Sequence, residues 1–122
     1  MQIEQKKTLT EECWITVGEG ESTFDVKIDY PLYPHNATLV RLAALESVGN
    51  STVESYWAFY VRSIVRDYRN LFEKEKEYHP VIEKGLLSVK DFDLLMQMGV
   101  ALTVYVEARK HLDISDVDKK KS

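Results

Sequence analysis

"NSTVESYWAFYVRSIVRDYRNLF", residues 50–72, decides how this chain folds. It threads aromatics through a run of arginines and β-branched residues, and it can be a core helix or a gripping surface. Ser51-Thr52-Val53-Glu54 matches a capping box, in which the serine serves an early helix amide and the glutamate reaches back to the cap. The spacing predicts one helix from 51 to about 77. Val53, Trp57, Tyr60, Val61, Ile64, Tyr68 and Leu71 recur at helical intervals and form a stripe that reads as core. Arg62, Arg66, Asp67 and Arg69 lie mostly off that stripe. A second face then carries the candidate protein-binding residues Tyr56, Phe59, Arg62, Arg66 and Arg69, because aromatics and arginine are the types enriched at interface anchors. Arginines among aromatics also suit single-stranded nucleic acid, but Glu73, Glu75 and Glu77 come directly after, which disfavours that partner.

Upstream, "CWITV" and "STFDVKIDY" flank Gly18-Glu19-Gly20. In the second run Phe24, Val26, Ile28 and Tyr30 share one face while Thr23, Asp25, Lys27 and Asp29 share the other, the period-two mark of a half-buried strand. The pair predicts a β-hairpin. An isolated hairpin is marginal in water, so it needs the helices downstream of it or another chain. Pro31 and Pro34 end the second strand. A helix over about 37–48 comes next, with Asn36 as its N-cap and Gly49 just past its end.

Downstream, "EKEKEYHP" is charged and stops at Pro80. Ser88-Val89-Lys90-Asp91 starts another helix, expected to run from 89 to about 111. It is apolar nearly all round over 94–106 and reads as the central buried helix, although Val100, Thr103, Val104 and Val106 leave strand as the alternative for that half. Residues 1–9 and 113–122 are polar and expected to be flexible.

The 122 residues fit one domain. A formal charge of −4 is the opposite of the basic footprint of a nucleic-acid binder. The apolar run at 94–106 is far short of the roughly 20 residues a membrane span needs, and the N-terminus lacks an apolar signal core. A cytoplasmic protein is expected. Cys13 stands alone, so no internal disulfide is available. His35, His79 and His111 are scattered rather than clustered as metal ligands are. Gly18-Glu19-Gly20 lacks the trailing lysine and the strand-to-helix setting of a phosphate loop. Asp91 and Asp93, two apart on a helix, point in different directions. No catalytic, cofactor or metal residues are assigned, and the chain is not expected to be an enzyme.

"FDVKIDYPLYPHNATLVRLAALESVGN" followed by "TVESYWAFYVRSIVRDY" resembles the small tail assembly chaperones of long-tailed bacteriophages. In that family an extended segment ending in Tyr-Pro leads into a helix, a glycine-bearing bend and an aromatic-rich helix. Tyr30-Pro31, the helix near Leu39 to Val48, Gly49 and the Trp57 helix match, over residues 22–72. The chain departs in lacking a threonine after Pro31 and a second glycine beside Gly49. The resemblance implies a non-enzymatic role: coating the tape measure protein while tail-tube subunits assemble around it, in the host cytoplasm, by a protein that is mainly helical and oligomeric.

The sequence therefore predicts one α+β domain over 10–112, mainly helical, with an N-terminal β-hairpin followed by three helices. The expected function is protein binding in assembly, with a homo-oligomer and a protein partner such as the tape measure or tail tube protein. The alternative is a small cytoplasmic adaptor or regulator, prophage-borne or not, that binds another protein or nucleic acid.

Overall fold

The computed structural model describes residues 11–50 and 54–121, with side chains described as far as Leu112. Strand β1 (Cys13–Glu19) pairs antiparallel with β2 (Ser22–Ile28), as the alternation requires. Phe24, Val26, Ile28 and Tyr30 are all buried, together with Ile15 and Val17 of β1. Helix α1 (Tyr33–Ser47) starts earlier than the asparagine cap predicts: its N-cap is Leu32, without a side-chain cap, and Pro34 sits in its first turn, where a missing N–H costs nothing.

The decisive stretch does not form one long helix. It splits into α2 (Tyr56–Ile64) and a strand, β3 (Val65–Arg69), that continues from it without a loop. The expected capping box at 51–54 lies outside the described residues, except for Glu54. β3 pairs antiparallel with β2, aligning Val26 with Tyr68 and Ile28 with Val65 across a register shift at Lys27/Ile28. The physical reason is the hairpin's own need. Two strands are marginal, and a third strand bearing β-branched and aromatic residues completes the sheet in the order β1-β2-β3.

Beyond β3 the chain forms a pair of two-residue hairpins, β4 (Phe72–Glu73) with β5 (Lys76–Glu77) and β6 (Ile82–Glu83) with β7 (Leu86–Leu87). Their central residues, Lys74 and Glu75 in one and Lys84 and Gly85 in the other, all have positive φ, the mirror-image turn geometry that matches strand twist. Gly85 is needed for a second reason: a Cβ there would lie 2.5 Å from Leu32 Cδ1.

The predicted helix from 89 to 111 is likewise two helices, α3 (Val89–Gln97) and α4 (Ala101–Lys121). Gly99, at φ +74°, turns the chain between them. Gly99 N–H donates to Met96 O and Val100 N–H to Leu95 O, both at 3.0 Å, and Leu95 and Val100 are both buried. That is a Schellman stop with its usual apolar contact. Among the described residues the chain is thus α+β with four helices and three small antiparallel sheets. The expectation of a mainly helical hairpin-plus-three-helices fold is corrected on both counts: helices are not the dominant part of the chain. The core lies between the inner face of the three-stranded sheet and helices α2 and α4, where Val61, Ile64, Val104, Ala108 and Leu112 are buried. Tyr30 closes one end by donating its hydroxyl to Leu112 O at 3.1 Å.

Candidate functional site

The five residues nominated from the sequence do not share one free face. Phe59 is buried, with His35 edge-on at 5.9 Å. Tyr56 is half-buried and stacks on Tyr60. Arg62 donates from Nε to Leu87 O at 2.8 Å and from one terminal nitrogen to both oxygens of Glu54, at 2.9 and 3.1 Å. Arg66 donates to Tyr30 O at 2.7 Å and to Gly85 O at 3.2 Å. Its burial pulls the guanidinium pKa below the ordinary value. Arg69 reaches the opposite, outer sheet face, bonding Asp25 at 2.9 Å and lying 4.2 Å over the Trp14 ring. Arg62 and Arg66 therefore tie the β6–β7 hairpin to α2 and β3 through main-chain carbonyls that would otherwise be desolvated without partners. Trp57 is only half-buried, packed against Phe92 and Tyr105 at 5.7 and 6.1 Å.

Asp91 is the molecule's polar knot. It is fully buried, and its carboxylate accepts from Tyr78 Oη at 2.7 Å, Val81 N–H at 2.9 Å and Ser88 Oγ at 2.6 Å. Ser88 Oγ in turn accepts from Asp91 N–H at 3.1 Å as the N-cap of α3. The start at Ser88 is the one the sequence predicts, but the carboxylate also serves the loop at 81. The hydrogen bond it accepts from Tyr78 stabilises the protonated phenol and pushes its pKa up to about 12. Stacked beside Tyr78 is Tyr68, buried, whose hydroxyl has no hydrogen-bond partner among the described residues. Burial raises its pKa. This cluster has the geometry of a joint.

The surface with binding character lies at the other end of α3. The stop at Gly99 turns Met96, Met98, Leu102 and Val106 toward solvent, with Leu102 60% exposed. Leu102 and Val106 stand one turn apart on α4. Met98 also borders a hollow of about 380 Å³ walled by Phe24, Asn70 and Leu71. Arg109, over the Tyr105 ring at 5.6 Å, and the Lys110–Glu107 pair at 3.1 Å edge the strip with charge. Unbranched methionine beside aliphatic residues makes an adaptable contact surface. Sequence reasoning assigned these four residues to the core. The signal that finds them is Gly99 itself, a helix stop set in the middle of the apolar run.

A second hollow, of about 520 Å³, lies across α3 and is lined by Glu73, Tyr78, Lys90, Asp93, Leu94 and Gln97. Among the described residues no three His, Cys, Asp or Glu side chains are placed to hold a metal ion, and no helix is long and apolar enough to cross a membrane. Cys13 is half-buried at the first position of β1, and burial pushes its thiol up.

Comparison with protein-family models, with curated proteins and with solved structures finds no match.

Proposed function

We propose that this chain is a non-enzymatic protein-binding factor of the assembly type, acting in the cytoplasm, that holds an apolar helical partner on the α3–α4 corner. The observation that carries the reading is the exposure of Met96, Met98, Leu102 and Val106 on either side of the stop at Gly99. Contiguous apolar surface rimmed by polar groups marks contact sites for proteins. Leu102 and Val106, one turn apart on α4, have the spacing of two anchors in a helix-on-helix contact, so a helix laid alongside α4 is the partner geometry they fit.

The finer form of the proposal is a tail assembly chaperone whose client is a tape measure protein, in a phage's host. Its support is the order of elements over 22–64, a strand, Tyr30-Pro31, α1, the bend at Gly49 and the aromatic α2, while the rest of the matched segment is strand β3 rather than helix. The resemblance implies a tape measure protein as the client, kept soluble while tail-tube subunits assemble around it.

Co-expression with a tape measure segment tests both levels. The unaltered chain should co-purify with the segment and suppress its aggregation in light scattering. The double substitution Leu102→Glu, Val106→Glu should abolish both effects while leaving the chain folded, because neither side chain is in the core. Equal co-purification by the double variant would overturn the assignment of the corner. Failure of the unaltered chain with tape measure segments, but success with another amphipathic helix, would overturn only the phage form.

A further inference from the structure

Helix α1 carries a second apolar surface, and its arrangement points to a different occupant. Its inward residues are Leu39 and Leu42, packed mainly toward α2. On the opposite side Tyr33, Ala37, Val40, Ala44 and Val48 recur at intervals of four, three, four and four, one line along the helix. All five are exposed, Val40 and Val48 each 71%. Asn36, Arg41, Ala43 and Ser47 flank the line and are exposed too. Arg41 is the sole charge among these nine residues. A surface helix ordinarily turns its charged face to water, and one that is apolar all round is normally covered.

We infer that this strip is covered by the same strip of a second copy, in an antiparallel, twofold pair of α1 helices. The order of side chains is the argument. Bulky Tyr33, small Ala37, bulky Val40, small Ala44 and bulky Val48 read alike from either end. Antiparallel pairing sets Tyr33 against the second copy's Val48 and Ala37 against its Ala44, with Val40 close to the twofold. The alanine levels allow the two backbones to approach at the short end of helix-packing distances, about 8 Å. Such a contact is self-complementary, as an isologous interface must be. The strip also has the dimensions of one helix: about 22 Å long for 15 residues. The apolar pair on α4 is a poorer match for it, since Leu102 and Val106 span only about 6 Å of that helix and would leave Tyr33 or Val48 uncovered. The contact is small against the roughly 800 Å² per partner of a standard interface, so the dimer should be weak, with a dissociation constant of about 100 μM. The two Arg41 side chains lie on the same side near the axis, so added salt should strengthen the pair slightly rather than weaken it. The inference uses α1 alone and stands or falls separately from the α3–α4 reading.

Disulfide mapping tests it. In a Cys13→Ala background, three single-cysteine variants are made: Ala37→Cys, Val40→Cys and Ala44→Cys. They are oxidised at about 200 μM, where a weak pair is populated, and at about 5 μM, where it is not. Val40→Cys should cross-link to itself at the higher concentration only. Ala37→Cys and Ala44→Cys should cross-link to each other when mixed, and neither to itself, because the self-pairs are seven residues out of register. Sedimentation gives an independent reading: Val40→Glu should raise the dissociation constant at least about tenfold with an unchanged circular dichroism spectrum. A strictly monomeric chain at about 500 μM would overturn the inference. So would self-linking of the Ala37→Cys or Ala44→Cys variants, which means parallel helices, or open-ended polymers, which mean a head-to-tail contact.

Discussion

Asp91 and Met98 stand at the two ends of α3, and their surroundings are opposites. At the N-terminal end a carboxylate with no exposed surface is held by three donors from three parts of the chain. Beside it Arg62 and Arg66 direct their guanidinium groups at main-chain carbonyls of the β6–β7 hairpin. At the C-terminal end a glycine stop turns methionine, leucine and valine side chains outward. Here the charged and polar groups build the joint and the apolar groups face solvent. A buried polar knot contributes geometry more than net stability, and an exposed apolar strip contributes nothing to the isolated fold. The first fixes where α3 starts and the second where it can be reached.

That contrast can be broken experimentally, beginning at the knot. Asp91→Ala should cost about 3 kcal/mol in urea denaturation, because it strands three donors, one of them the Ser88 hydroxyl that caps α3. A loss below about 1 kcal/mol would mean that water replaces the carboxylate easily and that the joint is open. Arg62→Ala should cost less, about 1 to 2 kcal/mol, because it takes the side-chain donor from the Leu87 carbonyl and breaks the contact with Glu54. Hydrogen exchange should show the loosening concentrated in residues 82–87. Tyr68→Phe removes a buried hydroxyl that lacks a partner, so stability should hold or rise by up to about 1 kcal/mol. A clear loss would show that the hydroxyl is bonded in solution.

The smallest effect is at His79, whose ring nitrogens face Asp67 at 2.9 Å and Glu77 at 3.4 Å. The hydrogen bond to Asp67, then the two carboxylate charges, raise its pKa above 6.5. The folded chain holds this proton more tightly than the unfolded one. The contribution is therefore complete below pH 6.5 and fades as pH rises through the higher folded value. His79→Ala should flatten that decline in a pH series of unfolding midpoints. A decline that survives the substitution would place it elsewhere.

The N-terminal hairpin was legible because alternation is a local property, and Phe24, Val26, Ile28 and Tyr30 sit on the predicted face. The start of α3 at Ser88 was legible for the same reason. The switch from α2 to β3 was not. Tyr60, Ile64 and Tyr68 fit a helical stripe as well as they fit a helix followed by a strand, and the partner that makes 65–69 a strand lies far upstream in β2. Strand character there is tertiary. The tight turn at Lys74-Glu75 has positive φ at both residues without the asparagine or glycine that usually announces it. The candidate arginines were legible as a cluster but not in their direction, which depends on the β6–β7 hairpin they hold. Gly99 was legible in principle, since a glycine after two turns of helix is a stop signal in its own right.

Hydroxyl-radical footprinting of the isolated chain, read residue by residue by mass spectrometry, tests the division between knot and corner most directly. Met96, Met98, Leu102 and Val106 should label readily, while Leu95, Val104 and Ala108 on the same two helices stay protected. Protection of Met98 and Leu102 to the level of Leu95 would mean that 89–111 runs as one buried helix, and the exposed corner on which the functional reading rests would not exist.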